Sequence, residues 1–89
     1  MPEIARFLGI VITIYMEVEE VHQIPHFHVR YGEYHASYSI DPIAQLAGAI
    51  PRRQQRLVEA WAELHQAELR DNWQRVQIGR APTRIRGLE

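Results

Sequence analysis

Residues 26–31 and 34–40 alternate polar and apolar side chains without a fault, and only Gly32-Glu33 lies between them. Period-2 alternation predicts half-buried strands. A two-residue connection with glycine first predicts a type II′ turn, whose first corner needs positive φ. The register follows from the turn. Tyr31 opposes Tyr34, Arg30 opposes His35, Val29 opposes Ala36, His28 opposes Ser37, and His26 opposes Ser39. Phe27, Val29, Tyr31, Tyr34, Ala36, Tyr38 and Ile40 then share the face expected to meet the core. His26, His28, Arg30, His35, Ser37 and Ser39 share the other. A slip of one residue would put the aromatic set in water, so the pattern defends its own register.

Four of the five histidines fall between His22 and His35, and three readings of this polar face compete. As a metal site, His26, His28 and His35 could ligate Zn²⁺ and leave a coordination position open. Against it, Arg30 brings a fixed charge among them, and the hairpin's polar face has no carboxylate. As an acid–base site acting on RNA, His26, His28 and His35 could move protons while Arg30 holds a phosphate in a forked grip. As an interface, His22, His26, His28, Arg30, His35, Ser37 and Ser39 would meet solvent or a partner protein, the ordinary condition of the wet face of an antiparallel sheet. The third reading needs the fewest assumptions.

The 89 residues amount to one domain with a modest core, divided into a β-rich half (1–50), a helical half (51–78) and a tail (79–89). There is no cysteine, which rules out disulfides and thiolate zinc sites. All ten basic residues are arginine, and they are unevenly placed. Residues 1–50 carry two Arg against six acids, residues 51–89 eight Arg against five acids. The acidic half could attract a basic surface. A near-neutral balance is unpromising for nucleic-acid binding, where phosphate neutralisation supplies most of the affinity; RNA is a partner of second rank. Leu8 to Met16 is an apolar run, followed at once by Glu17, Glu19 and Glu20. It has neither the basic leader nor the cleavage site of a signal peptide, nor the length of a membrane span. It reads as a buried strand, and the protein as cytoplasmic.

In chain order, Glu3–Phe7 is a short strand, Leu8-Gly9 a tight turn, and Ile10–Met16 a strand apolar on both faces. Glu17–Ile24 is an acidic connection whose glutamates are expected to be solvated. Asp41-Pro42 marks a turn, and Gln45–Ile50 a strand weakened by Gly48. Pro51 suits a helix start. Leu57, Trp61 and Leu64 recur at helical spacing, as do Leu69, Trp73 and Val76. The five-residue step from Leu64 to Leu69 throws the second stripe about 140° out of phase, which predicts a break near His65–Glu68 and two helices. Gly79 ends the second. The tail is expected either to fray or to add Thr83–Ile85 to a sheet.

Ile4-Ala-Arg-Phe7-Leu-Gly9-Ile10, His22-x-x-Pro25-His26-Phe27-His28, Tyr31-Gly32-Glu33-Tyr34, and Leu57-x-x-x-Trp61-Ala62-x-Leu64-His65-x-x-Glu68-Leu69-x-x-x-Trp73 together resemble a family of small bacterial proteins, domain of unknown function 4160. The resemblance spans nearly the whole chain. The acidic loop before His22 is longer than the family's, and lysine is absent. The family has no established activity. Its pattern matches His22, His26, His28 and His65, and its members often stand beside a second small gene, which implies a toxin–antitoxin-like pair and a small protein partner.

The chain is therefore expected to be α+β: an antiparallel sheet of four to five strands followed by two C-terminal helices packed on one face. Its expected role is that of an interaction module rather than an enzyme, with no cofactor, a small protein partner or a second copy, and no membrane. The alternatives are a metal-independent ribonuclease and a zinc-binding protein.

Overall fold

A computed structural model describes residues 2–17 and 24–88. Strands β1 (Glu3–Phe7) and β2 (Ile10–Thr13) are joined at Leu8-Gly9, both with positive φ (51° and 78°), the geometry of a type I′ hairpin turn. Strands β3 (His26–Tyr31) and β4 (Tyr34–Ile40) meet at Gly32-Glu33, where Gly32 alone has positive φ (58°). Their register is that of the alternation: Tyr31 with Tyr34, Arg30 with His35, Val29 with Ala36, His28 with Ser37 and His26 with Ser39. After a turn at the cis Asp41-Pro42 bond comes β5 (Ile43–Ala49), then helices α1 (Arg52–Leu64) and α2 (Gln66–Gln77). The sheet is a meander in the order β1-β2-β3-β4-β5, antiparallel throughout. It is an α+β fold.

The core lies between the helices and the apolar sheet face. Trp61 of α1 is fully buried, with its ring centroid 5.4 Å from that of Phe7 and 6.1 Å from that of Phe27. Phe27 in turn stacks on Tyr38 across the β3–β4 pair at 5.7 Å. Aromatic pairs in these geometries add roughly 0.5–1.5 kcal/mol each beyond the area they bury. Ile10 and Ile12 of β2, both fully buried, extend the same surface.

Four details depart from the sequence pattern. β2 stops at Thr13 rather than Met16, because Thr13 is the last residue with a partner on β3. β5 starts two residues before Gln45, and its register with β4 shifts between Ser37 and Tyr38, leaving Leu46 as the extra residue of a bulge. The helix break itself falls where the phase step placed it, at His65, which closes α1 and opens α2. The buried side of α1, however, is Val58, Trp61 and Ala62, while Leu64 is 71% exposed. Of the predicted stripe, Trp61 lies on that side and Leu57 packs partly buried against the core, whereas Leu64 does not. Spacing of leucines alone could not show which edge of the apolar arc faced the sheet.

The tail does not fray. The Ile85 amide donates to the Ile4 carbonyl (2.7 Å), which lays the segment beside β1 without making it a strand. The Trp61 indole N–H donates to the Arg86 carbonyl (2.8 Å). Asn72 of α2 is fully buried, yet its amide group is satisfied: it donates to the Thr83 carbonyl and accepts from the Thr83 amide, each at 2.8 Å. Buried polar groups need such partners. Glu3 adds a charged clasp, gripped by Arg6 at 2.7 and 3.0 Å and by Arg84 of the tail at 3.2 Å.

That clasp generates the first prediction. The hydrogen-bonded Arg6 guanidinium, with Arg84 beside it, holds the Glu3 carboxyl down to about 2 from an ordinary 4.5. A lowered folded-state value means that the contribution to stability is complete above pH 4.5 and disappears as pH falls towards 2. Thermal unfolding followed from pH 6 to about pH 2 should show Glu3→Gln losing less stability on acidification than the wild type. Identical acid profiles would mean that the clasp is not formed in solution.

A second prediction concerns Gly48, at φ 77° on β5. A Cβ there would lie 2.3 Å from the His35 carbonyl oxygen and 2.8 Å from the Ala36 Cα, whereas one on Gly32 would meet nothing within 4 Å. Gly32→Ala should cost only the left-handed backbone penalty, about 1–2 kcal/mol. Gly48→Ala should cost clearly more in urea unfolding, because backbone atoms cannot move aside. Equal costs would contradict this packing of β5 on β4.

Candidate functional site

The face of the sheet opposite the core holds a groove of about 430 Å³, in which His28 and Arg30 of β3 meet His35 and Ser37 of β4. Val11, Thr13 and Tyr15 line it from the β2 side, Ala47 and Gly48 from β5, and Glu3 from β1. Alternation places these groups: on β3 and β4 every second side chain points to this face, and cross-strand pairing puts Arg30 opposite His35 and His28 opposite Ser37. Arg30 and His35 are exposed, and Arg30 has no ion pair among the described residues.

The remaining residues of the predicted face go elsewhere. Ser39 is buried, and its hydroxyl lies 2.5 Å from the Pro42 carbonyl oxygen and 3.3 Å from that of Ala44, where it braces the β4–β5 turn. His22 lies outside the described residues. His65 sits at the helix junction, 5.6 Å from the Trp61 ring and 2.5 Å from a Glu68 carboxylate oxygen. It has a structural setting at the junction.

His26 is 9% exposed and, together with His28, meets a residue expected to be solvated. Beyond Thr13 the chain leaves the sheet, stacks Tyr15 on His28 (4.6 Å, 11° between planes), and brings the Glu17 carboxylate back over β3. The same oxygen, Oε1, lies 2.6 Å from His26 Nε2 and 3.0 Å from His28 Nε2. The other His26 nitrogen, Nδ1, is 2.8 Å from the Ile24 carbonyl oxygen. A carbonyl can only accept, so Nδ1 carries a hydrogen and donates it, and the ring is thereby oriented with Nε2 towards Glu17. Trp73 of α2 stands 5.1 Å from the His26 ring on one side, and His28 stands 5.1 Å from it on another.

This environment keeps Glu17 anionic. The hydrogen bond from His26 lowers its pKa, burial opposes that, and the bond from His28 lowers it further. Burial, and then the Glu17 charge, push the Tyr15 phenol up. Among the described residues, Glu17, His26 and His28 form a group of metal-ligating atoms all within 4.8 Å of one another. His35 is not part of that group, so of the three histidines proposed as ligands from sequence the fold gathers two and adds a carboxylate. Glu17 stands nine and eleven residues before its partners, on a connection with no pairing rule to place it. The only sequence signal was that Glu17 is the first of three glutamates, directly after the apolar run Leu8 to Met16.

Among the described residues no helix is long and apolar enough to cross a membrane. No curated protein and no solved structure matches this chain. The sequence model of one family matches residues 9–74, a span that includes Glu17, the hairpin, α1 and most of α2. On that match over well more than half its length, the chain belongs to the family described as domain of unknown function 4160.

Proposed function

We propose that this protein is a small cytoplasmic binding module, one component of a toxin–antitoxin-like pair, and that its partner is a small protein held in the groove of the uncovered sheet face. The observation that carries this reading is the groove itself. It is lined by small or apolar groups such as Val11, Ala47 and Gly48 together with the exposed Arg30 and His35. A partner segment that places an apolar side chain against the small residues and a carboxylate against Arg30 matches both features, since a guanidinium without an ion pair favours forked carboxylate recognition. The face is a better docking surface than the edge. β5 has neither charge nor proline and is exposed from Ala44 to Ala49, which would invite an added strand, but the bulge at Leu46 interrupts its backbone ladder, a device that discourages edge pairing. The pairing with a neighbouring gene product comes from the family resemblance. No separate observation favours the ribonuclease reading: of its three proton carriers, His26 and His28 are bonded to Glu17, and His35 lies apart from that cluster in the groove.

The test is co-expression with the product of the adjacent gene, followed by purification of the tagged chain. Wild type should retain the second protein. Arg30→Glu, and separately Ala47→Arg to fill the groove, should each weaken retention at least tenfold, a loss of about 1.4 kcal/mol, with unchanged circular dichroism. Retention unaffected by both substitutions, or no stable complex with wild type, would overturn the reading.

A further inference from the structure

We propose that Glu17, His26 and His28 bind one divalent first-row transition ion of the zinc type, with His28 Nε2, His26 Nε2 and Glu17 Oε1 as the protein's donors. This is independent of the binding-module reading, and it assigns the cluster a ligand that the groove does not need.

Spacing is the first argument. Donors about 2.0–2.1 Å from a common ion lie roughly 3 Å from one another. The two nitrogen–oxygen separations are 2.6 and 3.0 Å, and all three donor atoms lie within 4.8 Å. An ion can therefore enter with side-chain shifts on the order of an ångström or less, as the carboxylate oxygen withdraws from the histidines and the two imidazoles close on the ion.

Orientation is the second. A histidine that ligates through Nε2 is commonly held by a hydrogen bond from Nδ1 to a backbone carbonyl. His26 has that arrangement with Ile24. That bond turns Nε2 towards Glu17 Oε1, 2.6 Å away, so His26 presents its other ring nitrogen to the same oxygen that His28 Nε2 approaches at 3.0 Å.

Enclosure is the third. Tyr15 stacks flat on His28 and Trp73 walls His26, so the donor rings are held in place by packing, as a preformed site needs. The acidic partner also answers the objection that Arg30 raises. An ion among His26, His28 and His35 would have Arg30 in its midst. An ion between His26, His28 and Glu17 lies on the far side of His28, gains a compensating negative charge, and leaves Arg30 roughly two strand residues, about 6.6 Å, further along β3.

The donor set determines the kind of ion. Two imidazoles and one carboxylate suit Zn²⁺, Co²⁺, Ni²⁺ or Fe²⁺, whereas Mg²⁺ and Ca²⁺ require oxygen ligands. Three protein donors leave at least one position of a tetrahedral ion for water or another ligand. His28 belongs both to the cluster and to the groove, so the ion would sit at the groove's end.

The experiment uses tag-free, chelator-stripped full-length protein, titrated with Zn²⁺ by calorimetry and with Co²⁺ by visible absorption. Wild type should bind one ion per chain, develop the ligand-field bands of nitrogen- and oxygen-ligated Co²⁺, and melt at a higher temperature with Zn²⁺. Glu17→Gln and His28→Ala should each weaken binding at least tenfold and remove the thermal shift, while His35→Ala should bind as wild type does. Because His26 is buried, these exposed or half-buried positions carry the test, with circular dichroism confirming that each variant folds. No stoichiometric binding by wild type, undiminished binding by Glu17→Gln, or a loss in His35→Ala equal to that in His28→Ala would overturn the assignment. In the first case the cluster is a proton-bonded histidine–carboxylate pair.

Discussion

The packing of Phe27 between Tyr38 and Trp61 is the contact on which the rest of the molecule depends. It commits one face of the β3–β4 hairpin to the core, and by the two-residue period of a strand it commits His28 and Arg30 to the other face. A shift of one residue would exchange the two sets, expose the buried Phe27 and Tyr38 and bury an arginine. Both penalties oppose the slip, so the polar groove is as firmly placed as the core. The helices contribute from the far side: Trp61 packs against Phe7 and Phe27, and both Trp61 and Val58 are fully buried.

The carboxylate of Glu17 stands in a different relation to that frame. It belongs to no element, and it is held by polar contacts at the end of a strand that has already left the sheet. Bringing a carboxylate into partial burial is costly unless charge or hydrogen bonding compensates, and both histidines do so here through one oxygen atom. The two aromatic neighbours reduce access of water to the bonds and strengthen them. The cluster thus joins three parts of the chain: the exit of β2, the start of β3 and, through Trp73, helix α2.

The tail shows the same division between local and distant causes. Its sequence, with Pro82 and Gly87 among charged residues, has no periodic pattern. It is ordered by four backbone groups that find partners on β1, α1 and α2, and its Ile85 is buried. None of those partners is within ten residues in sequence, so no local rule could have located them.

Sequence alone determined the hairpin, its register, the type of its turn, the two-helix C-terminal half and the position of the break, because each depends on local geometry: strand period, helix phase and the conformational freedom of glycine. It also sufficed to separate the core face from the polar face. Tertiary structure decided which of the polar residues work together. Ser39 turned inward to brace a loop, His35 stayed with Arg30 in the groove, Leu64 faced solvent, and Glu17 joined His26 and His28. These outcomes depend on where the chain goes after a strand ends and on how an apolar arc is rotated against its neighbours. Such long-range packing has no period along the chain from which it could be read.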